Sequence, residues 1–194
     1  MIMEEQAKVP VWKPALIYGA IVGLATIVVS LIFYFMDSSF TTWAGIVGGV
    51  ISYGLILVTL FLYRSEYAKE VLKYGRVVGM SVLIGVFSSL LISIYTFAIY
   101  ISDEGYLQDS KYFAIEKMDE RMAKSDAKYQ ERFSDDQYAM VEDKMEEARE
   151  KAADRIMGLT PVKMALQSFF GFIFPAVLLG LVAGIFLRRK PQQV

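Results

Sequence analysis

Neither cysteine nor histidine occurs anywhere in the 194 residues. Their absence excludes disulfides, thiol nucleophiles, imidazole bases and the Cys/His zinc and haem sites. Charge is missing where it would be most telling. Four long apolar runs, at 15–36, 43–63, 77–101 and 162–187, have no charged residue in their interiors. A proton relay or ion path through a bilayer normally declares itself by such a residue, so coupling to protons or sodium is not expected. No basic patch with interleaved aromatics lies between the third and fourth runs, and no nucleic-acid partner is expected.

What is present is apolar length. Hydrophobic residues make up 55% of the chain and the mean hydropathy is positive, both unusual for a water-soluble domain. A helix of about 20 apolar residues crosses a hydrocarbon core of about 30 Å, and each of the four runs is long enough. The expected fold is an all-α membrane protein: a four-transmembrane-helix bundle with one extramembrane amphipathic helical hairpin between spans three and four. Three segments follow: 1–101 with an N-terminal tail and spans one to three, 102–160 as an acidic hairpin, and 161–194 with span four and a basic tail. The first run is too long for a signal-peptide core and has no A-x-A-like site after it, so it reads as a retained span in contact with the lipid bilayer.

Charge is distributed unevenly. Segment 102–160 holds 10 Lys/Arg and 16 Asp/Glu, a net of −6, while the remainder holds 10 and 5, a net of +5. Basic residues cluster at three places: Lys8 and Lys13; Arg64, Lys69, Lys73 and Arg76; and Arg188, Arg189 and Lys190. The short connection at 37–42 has none. With four spans the three basic clusters fall on one side, which the positive-inside rule makes cytoplasmic. Both termini are therefore expected in the cytoplasm and 102–160 outside. Trp12, Trp43, Tyr63, Tyr74 and Tyr100 lie near span ends, where amphipathic rings favour headgroups.

Small residues four apart allow helices to approach closely in lipid. Gly19/Gly23, Gly75/Gly79 and Gly180/Gly184 form such pairs and are the expected helix-packing positions, with Ala44/Gly48 a weaker version in span two. Ser81, Ser88, Ser89 and Ser93 give span three a polar side, and Pro175 removes a backbone donor in mid-span four, where a kink is expected. Tyr18-Gly19-Ala20-Ile21-Val22-Gly23 is echoed by Tyr74-Gly75-Arg76-Val77-Val78-Gly79, which suggests two helical hairpins related by duplication. Glu66 and Glu70 interleave with Lys69 and Lys73, a pattern of helical salt pairs.

Residues 106–157 read as two amphipathic helices. Tyr112, Ile115, Met118, Met122, Tyr129 and Phe133 mark the first stripe; Tyr138, Val141, Met145, Ala148, Ala152 and Ile156 mark the second. Ser134-Asp135-Asp136-Gln137 has the form of a capping box and places the break near 134. Asp103-Glu104-Gly105 reads as a turn. Gly158-Leu159-Thr160-Pro161 ends one helix and caps the next. Such a pair is marginal alone in water; its stripes must bury on each other, on the membrane or on a partner. Met-rich surfaces adapt to partners, and Met118, Met122, Tyr138 and Met145 are the candidate partner-face residues. The acid clusters lack the pattern of a calcium loop and read as a solvated face.

The Tyr-Gly-x-x-x-Gly opening (Tyr18, Gly19, Gly23), the glycines Gly75 and Gly79, the restart over Ser134, Asp135, Asp136 and Gln137, and the terminal Arg188, Arg189 and Lys190 together resemble a known family. It is the membrane family called the domain of unknown function 4199, seen mainly in Bacteroidetes. The resemblance covers nearly the whole chain, although the first insert helix is longer and more basic than in that family. It implies a bacterial inner membrane and implies no reaction. No catalytic, cofactor-binding or metal residue is assigned, no cofactor is expected, and the chain is not expected to be an enzyme. Two roles fit: a non-enzymatic scaffold or accessory subunit that presents the periplasmic hairpin to a membrane or periplasmic protein or to a second copy in a homo-oligomer; or, alternatively, a small transporter or lipid-handling protein for a neutral or lipidic substrate.

The topology can be checked directly because the chain has no native cysteine. Single cysteines at 40 and 125 should react with an impermeant thiol reagent added outside. Those at 70 and 190 should react only after the membrane is opened.

Overall fold

The computed structural model describes residues 11–67, 73–131 and 135–187, with the side chains at 67, 135–137, 139 and 140 excepted. Lys8, Lys69, Glu70, Phe133, Ser134, Arg188, Arg189 and Lys190 lie outside the described residues, as do the side chains of Asp135, Asp136 and Gln137 of the restart motif. Among the described residues the chain is all helix: α1 Trp12–Phe35, α2 Thr42–Tyr67, α3 Tyr74–Ser102, α4 Glu104–Gln130, α5 Asp135–Met157 and α6 Pro161–Leu187. Four of these, α1, α2, α3 and α6, are long and apolar enough to cross a membrane. Two compact units result, one of residues 1–96 with 165–194 and one of 97–164. The division falls five residues inside the third apolar run and three inside the fourth. The last turn of α3 belongs with the hairpin, where the Tyr100 ring meets that of Tyr106 at 5.6 Å between centroids.

Within the first unit α3 is the inner element. Of the most apolar window of each span, 39% of α3 is buried, against 33% of α6 and 22% of α1 and of α2. The remaining faces carry Leu24, Val28, Val50, Phe61, Leu90, Phe174 and Phe186, all exposed. A helix apolar on every side is a membrane helix rather than a surface helix of a soluble domain. The shared core contains Val22, Ile56, Leu60, Tyr63, Val77, Met80, Ile84, Ala176 and Leu187.

Two serines seven residues apart join α3 to its neighbours. The Ser88 hydroxyl shares its proton between the Gly19 carbonyl of α1 at 2.9 Å and the Ile84 carbonyl of its own helix at 2.8 Å, and Ser81 donates to the Ala176 carbonyl of α6 at 2.6 Å. Both are fully buried. Backbone carbonyls are reachable only where the helices touch closely, and glycine permits that. A Cβ on Gly19 would stand 2.5 Å from the Phe87 Cβ, and one on Gly23 would stand 3.2 Å from the Leu91 Cβ. On the other side a Cβ at Gly180 would lie 2.6 Å from the Ser81 Cβ, and one at Gly184 would lie 2.7 Å from the Tyr74 ring. Gly85, four residues from Ser81 and from Ser89, would set a Cβ 2.6 Å from the Ala176 Cβ.

The third-span pair behaves differently from the expectation. A Cβ at Gly75 or at Gly79 would meet nothing within 4 Å, so neither sets a close approach within this chain. The packed face of α3 is the one carrying Val77, Met80, Ser81, Ile84, Gly85 and Ser88, and 75 and 79 fall off it. The echoed segments accordingly have different surroundings. Tyr18 donates to the Glu66 carboxylate at 2.7 Å, whereas the Tyr74 hydroxyl donates to the Leu181 carbonyl at 3.3 Å. Glu66 thus has a partner 48 positions away in α1 in addition to any neighbour on its own helix. Nearby, Arg76 Nε donates to the Tyr63 hydroxyl at 2.7 Å, which ties α3 to α2. Further along, the Thr26 and Ser52 hydroxyls bond at 2.9 Å between α1 and α2.

The α1–α2 turn is short. Asp37 adopts φ 50°, and Ser38 N–H bonds to the Phe33 carbonyl while Asp37 N–H bonds to that of Tyr34. This is the Schellman closure with an aspartate where glycine is usual. α6 continues through Pro175 as one helix, and the proline leaves the Gly171 carbonyl without its i+4 donor.

The glycine contacts predict a split outcome. G19A and G180A should each destabilise the bundle by about 1–3 kcal/mol through overpacking, read from unfolding in mixed micelles by circular dichroism. G79A should stay within about 0.5 kcal/mol of the wild type; equal damage from G79A would show that the open face of α3 is itself a contact.

Candidate interaction surface on the helical hairpin

The hairpin begins without the expected three-residue turn. Asp103 alone separates α3 from α4, and its extended backbone (φ −132°, ψ 95°) and carboxylate make it the N-cap, accepting from Tyr106 N–H at 2.9 Å. Glu104 then sits in the first turn, where the helix dipole favours an acid. Gly105 is helical rather than part of a turn. At the far end the reading of 158–161 matches the structure: Gly158 N–H bonds to the Asp154 carbonyl, and Thr160 Oγ1 accepts from Lys163 N–H at the start of α6.

Three polar links set the register of α4 against α5. Lys111 Nζ donates to the Met157 carbonyl at 3.0 Å, 46 residues apart. Arg149 makes a two-pronged pair with Asp119 at 2.7 and 2.8 Å, 30 residues apart. Gln130 donates to the Tyr138 hydroxyl at 2.9 Å, 8 residues apart. Each separation is symmetric about position 134, so one antiparallel register satisfies all three. Lys111 is 6% exposed, and its cation meets the carbonyl end of α5, where the helix dipole is negative. Tyr138 in turn donates to Asp126 at 2.5 Å.

Packing thins along the hairpin. Leu107, Ser110 and Lys111 are buried at its base, and from 112 to 164 no described residue is buried. Two helices offer each other only one stripe, and the sides of that stripe remain open. One side forms a hollow of about 380 Å³. Met122, Ala123 and Met145 form its floor, and Asp119, Asp126, Glu142, Glu146 and Arg149 stand around it. A second hollow, of about 510 Å³, runs along α4 past Phe113, Met118 and Met122.

The four expected partner-face residues are all half-buried but are not equivalent. Met122 and Met145 share the first hollow, Met118 lines the second, and Tyr138 belongs to the polar network with Asp126 and Gln130. The periodicity alone did not mark Asp119, Lys111 or Arg149. Their signal was available only as mirror-image placement about the break at 134. Among the described residues no three carboxylates come together in a way that could hold a metal ion.

Electrostatics follow the pairs. The hydrogen bonds from Arg149, aided by its charge, hold the Asp119 carboxyl below the ordinary aspartate range, and Asp119 raises the Arg149 guanidinium in return. Lys117 lowers Glu120 in the same way. The bond to Asp126 raises the Tyr138 phenol, because it stabilises the protonated form that donates.

Comparison with known proteins places the chain at the level of family. The family model described as "Protein of unknown function (DUF4199)" matches residues 17–189. No curated protein matches, and no solved structure matches.

The pH dependence follows in sign from these pairs. Asp119 is depressed, so its contribution to hairpin stability is full above the ordinary aspartate pKa of about 4 and is lost as pH falls through its lower folded value. Tyr138 is raised, so its contribution is full below about 10 and is lost as pH rises through its higher folded value. Carboxyl NMR should find Asp119 titrating higher in R149A. Near-ultraviolet titration, with Y138F as the difference reference, should find Tyr138 titrating lower in D126N.

Proposed function

The chain belongs to the DUF4199 family, which supplies no reaction to inherit, and we propose from the hairpin's geometry that it is a non-enzymatic scaffold or accessory subunit. In this reading the four-helix bundle anchors it in a bacterial inner membrane with both termini cytoplasmic, and 102–160 stands in the periplasm as the docking element. The observation that carries the reading is the open side of the hairpin. Its two helices are already held in register by Lys111, Arg149 and Tyr138, yet Met122 and Met145 remain half-buried in a hollow. Apolar area left over after the register is satisfied is area available to another surface.

The transport alternative draws less support. It relied on serines of α3 lining a path beside α6, and the hydroxyls of Ser81 and Ser88 are spent on carbonyls of α6 and α1.

A photo-crosslinking residue in place of Ala123, in the full chain and in its native membrane, tests the reading. Adducts to a distinct protein or to a second copy are expected at 123 and not at a lipid-facing position such as Leu90. No protein adduct at 123, with every associated protein retained after deletion of 106–157, would remove the basis for it.

A further inference from the structure

We infer that the hollow between α4 and α5 is a seat for a cationic amphipathic helix, which would complete a three-helix bundle with the hairpin; this rests on the docking role proposed above and specifies the chemistry of the partner. The hollow has the shape such an occupant needs. Its walls are the i, i+3/i+4, i+7 faces of two antiparallel helices, from Asp119 to Asp126 on α4 and from Glu142 to Arg149 on α5. Each wall is eight residues long and spans about 10 Å, or two helical turns. The floor of Met122, Ala123 and Met145 offers apolar contact that adapts to the side chains laid on it.

Charge selects the occupant. Four carboxylates surround the floor against one guanidinium. Asp119 is already paired with Arg149 and Asp126 already accepts from Tyr138. Glu142 and Glu146 are exposed, one turn apart on α5; neither makes a direct salt bridge or hydrogen bond among the described residues, and Glu146 feels only the longer-range charge of Arg149, which Asp119 already engages. They form an acidic wall beside the apolar floor. A helix bearing a Leu-type stripe with Lys or Arg on the side toward α5 would satisfy both. A second copy's hairpin fits poorly, because segment 102–160 carries a net charge of −6 and like charges would meet across the seat. An anionic lipid surface is disfavoured for the same reason.

The test uses the full chain in nanodiscs of zwitterionic lipid, titrated with a fluorescent Leu/Lys amphipathic peptide of about 14 residues, roughly four turns. A Leu/Glu peptide of the same pattern and empty nanodiscs serve as controls. Saturable binding of the Leu/Lys peptide beyond the empty discs is expected. E142K/E146K should weaken it by about tenfold or more, and D143K/D154K, which makes the same charge change on positions outside the hollow, should weaken it by less than about twofold. Circular dichroism checks that both variants retain their helices. Equal loss in the two variants would reduce the attraction to overall charge and overturn the seat; so would binding of the Leu/Glu peptide, or binding no stronger than to empty discs. Crosslinks from position 123 to a partner protein that persist unchanged in E142K/E146K would leave the docking role standing and overturn only this assignment.

Discussion

The place of α3 as the inner element of the membrane-spanning unit depends on how closely it can approach α1 and α6. In lipid, apolar side chains gain nothing by leaving one apolar surrounding for another, so association falls to packing and interhelical hydrogen bonds. Ser88 and Ser81 supply the bonds, and glycines 19, 23 and 180 remove the side chains that would keep the hydroxyls out of reach. The two features need each other. Ser89, by contrast, bonds within its own helix, to the Val86 carbonyl. A glycine groove without a donor would gain contact but no polar bond.

The hairpin obeys the opposite solvent logic. In water its apolar stripe does drive association, but two helices cannot seal it, and the register is set by polar links instead. Lys111 at the base, Arg149 in the middle and Tyr138 toward the tip hold one antiparallel alignment. These exposed links in the middle and at the tip are weak individually. Their value lies in excluding other registers, which leaves Met122 and Met145 facing the same hollow.

Much of this was legible in the residues. The spans follow from uninterrupted apolar length, and the hairpin follows from two stripes with a break at 134. The cap at Thr160-Pro161 follows from residue types whose preferences are local. Asp103-Glu104-Gly105 reads as a turn because Gly105 suggests a loop, whereas Asp103 caps α4 and the glycine two residues on is helical. Gly75 and Gly79 set no close approach within the chain, because the i, i+4 pattern finds a smooth helix face without saying whether anything lies against it. Gly85 lies at the centre of Ser81, Gly85 and Ser89, small residues at the same spacing, and the spacing does not say which of two such runs meets a neighbour.

By itself the sequence determined what each segment is: four membrane-length helices, one acidic amphipathic hairpin, and the break between its arms. These depend on residue type and periodicity within one helix, and on the cost of exposing apolar or backbone groups. Only the tertiary structure decided which faces meet. The rotation of α3 chose Ser81, Gly85 and Ser88 over Gly75 and Gly79, and Tyr18 found Glu66 across 48 positions. The register of α4 on α5 turned half-buried methionines into one hollow walled by acids. Those choices rest on contacts between residues far apart in the chain, where the fit of one surface to another, not the preference of either, carries the energy.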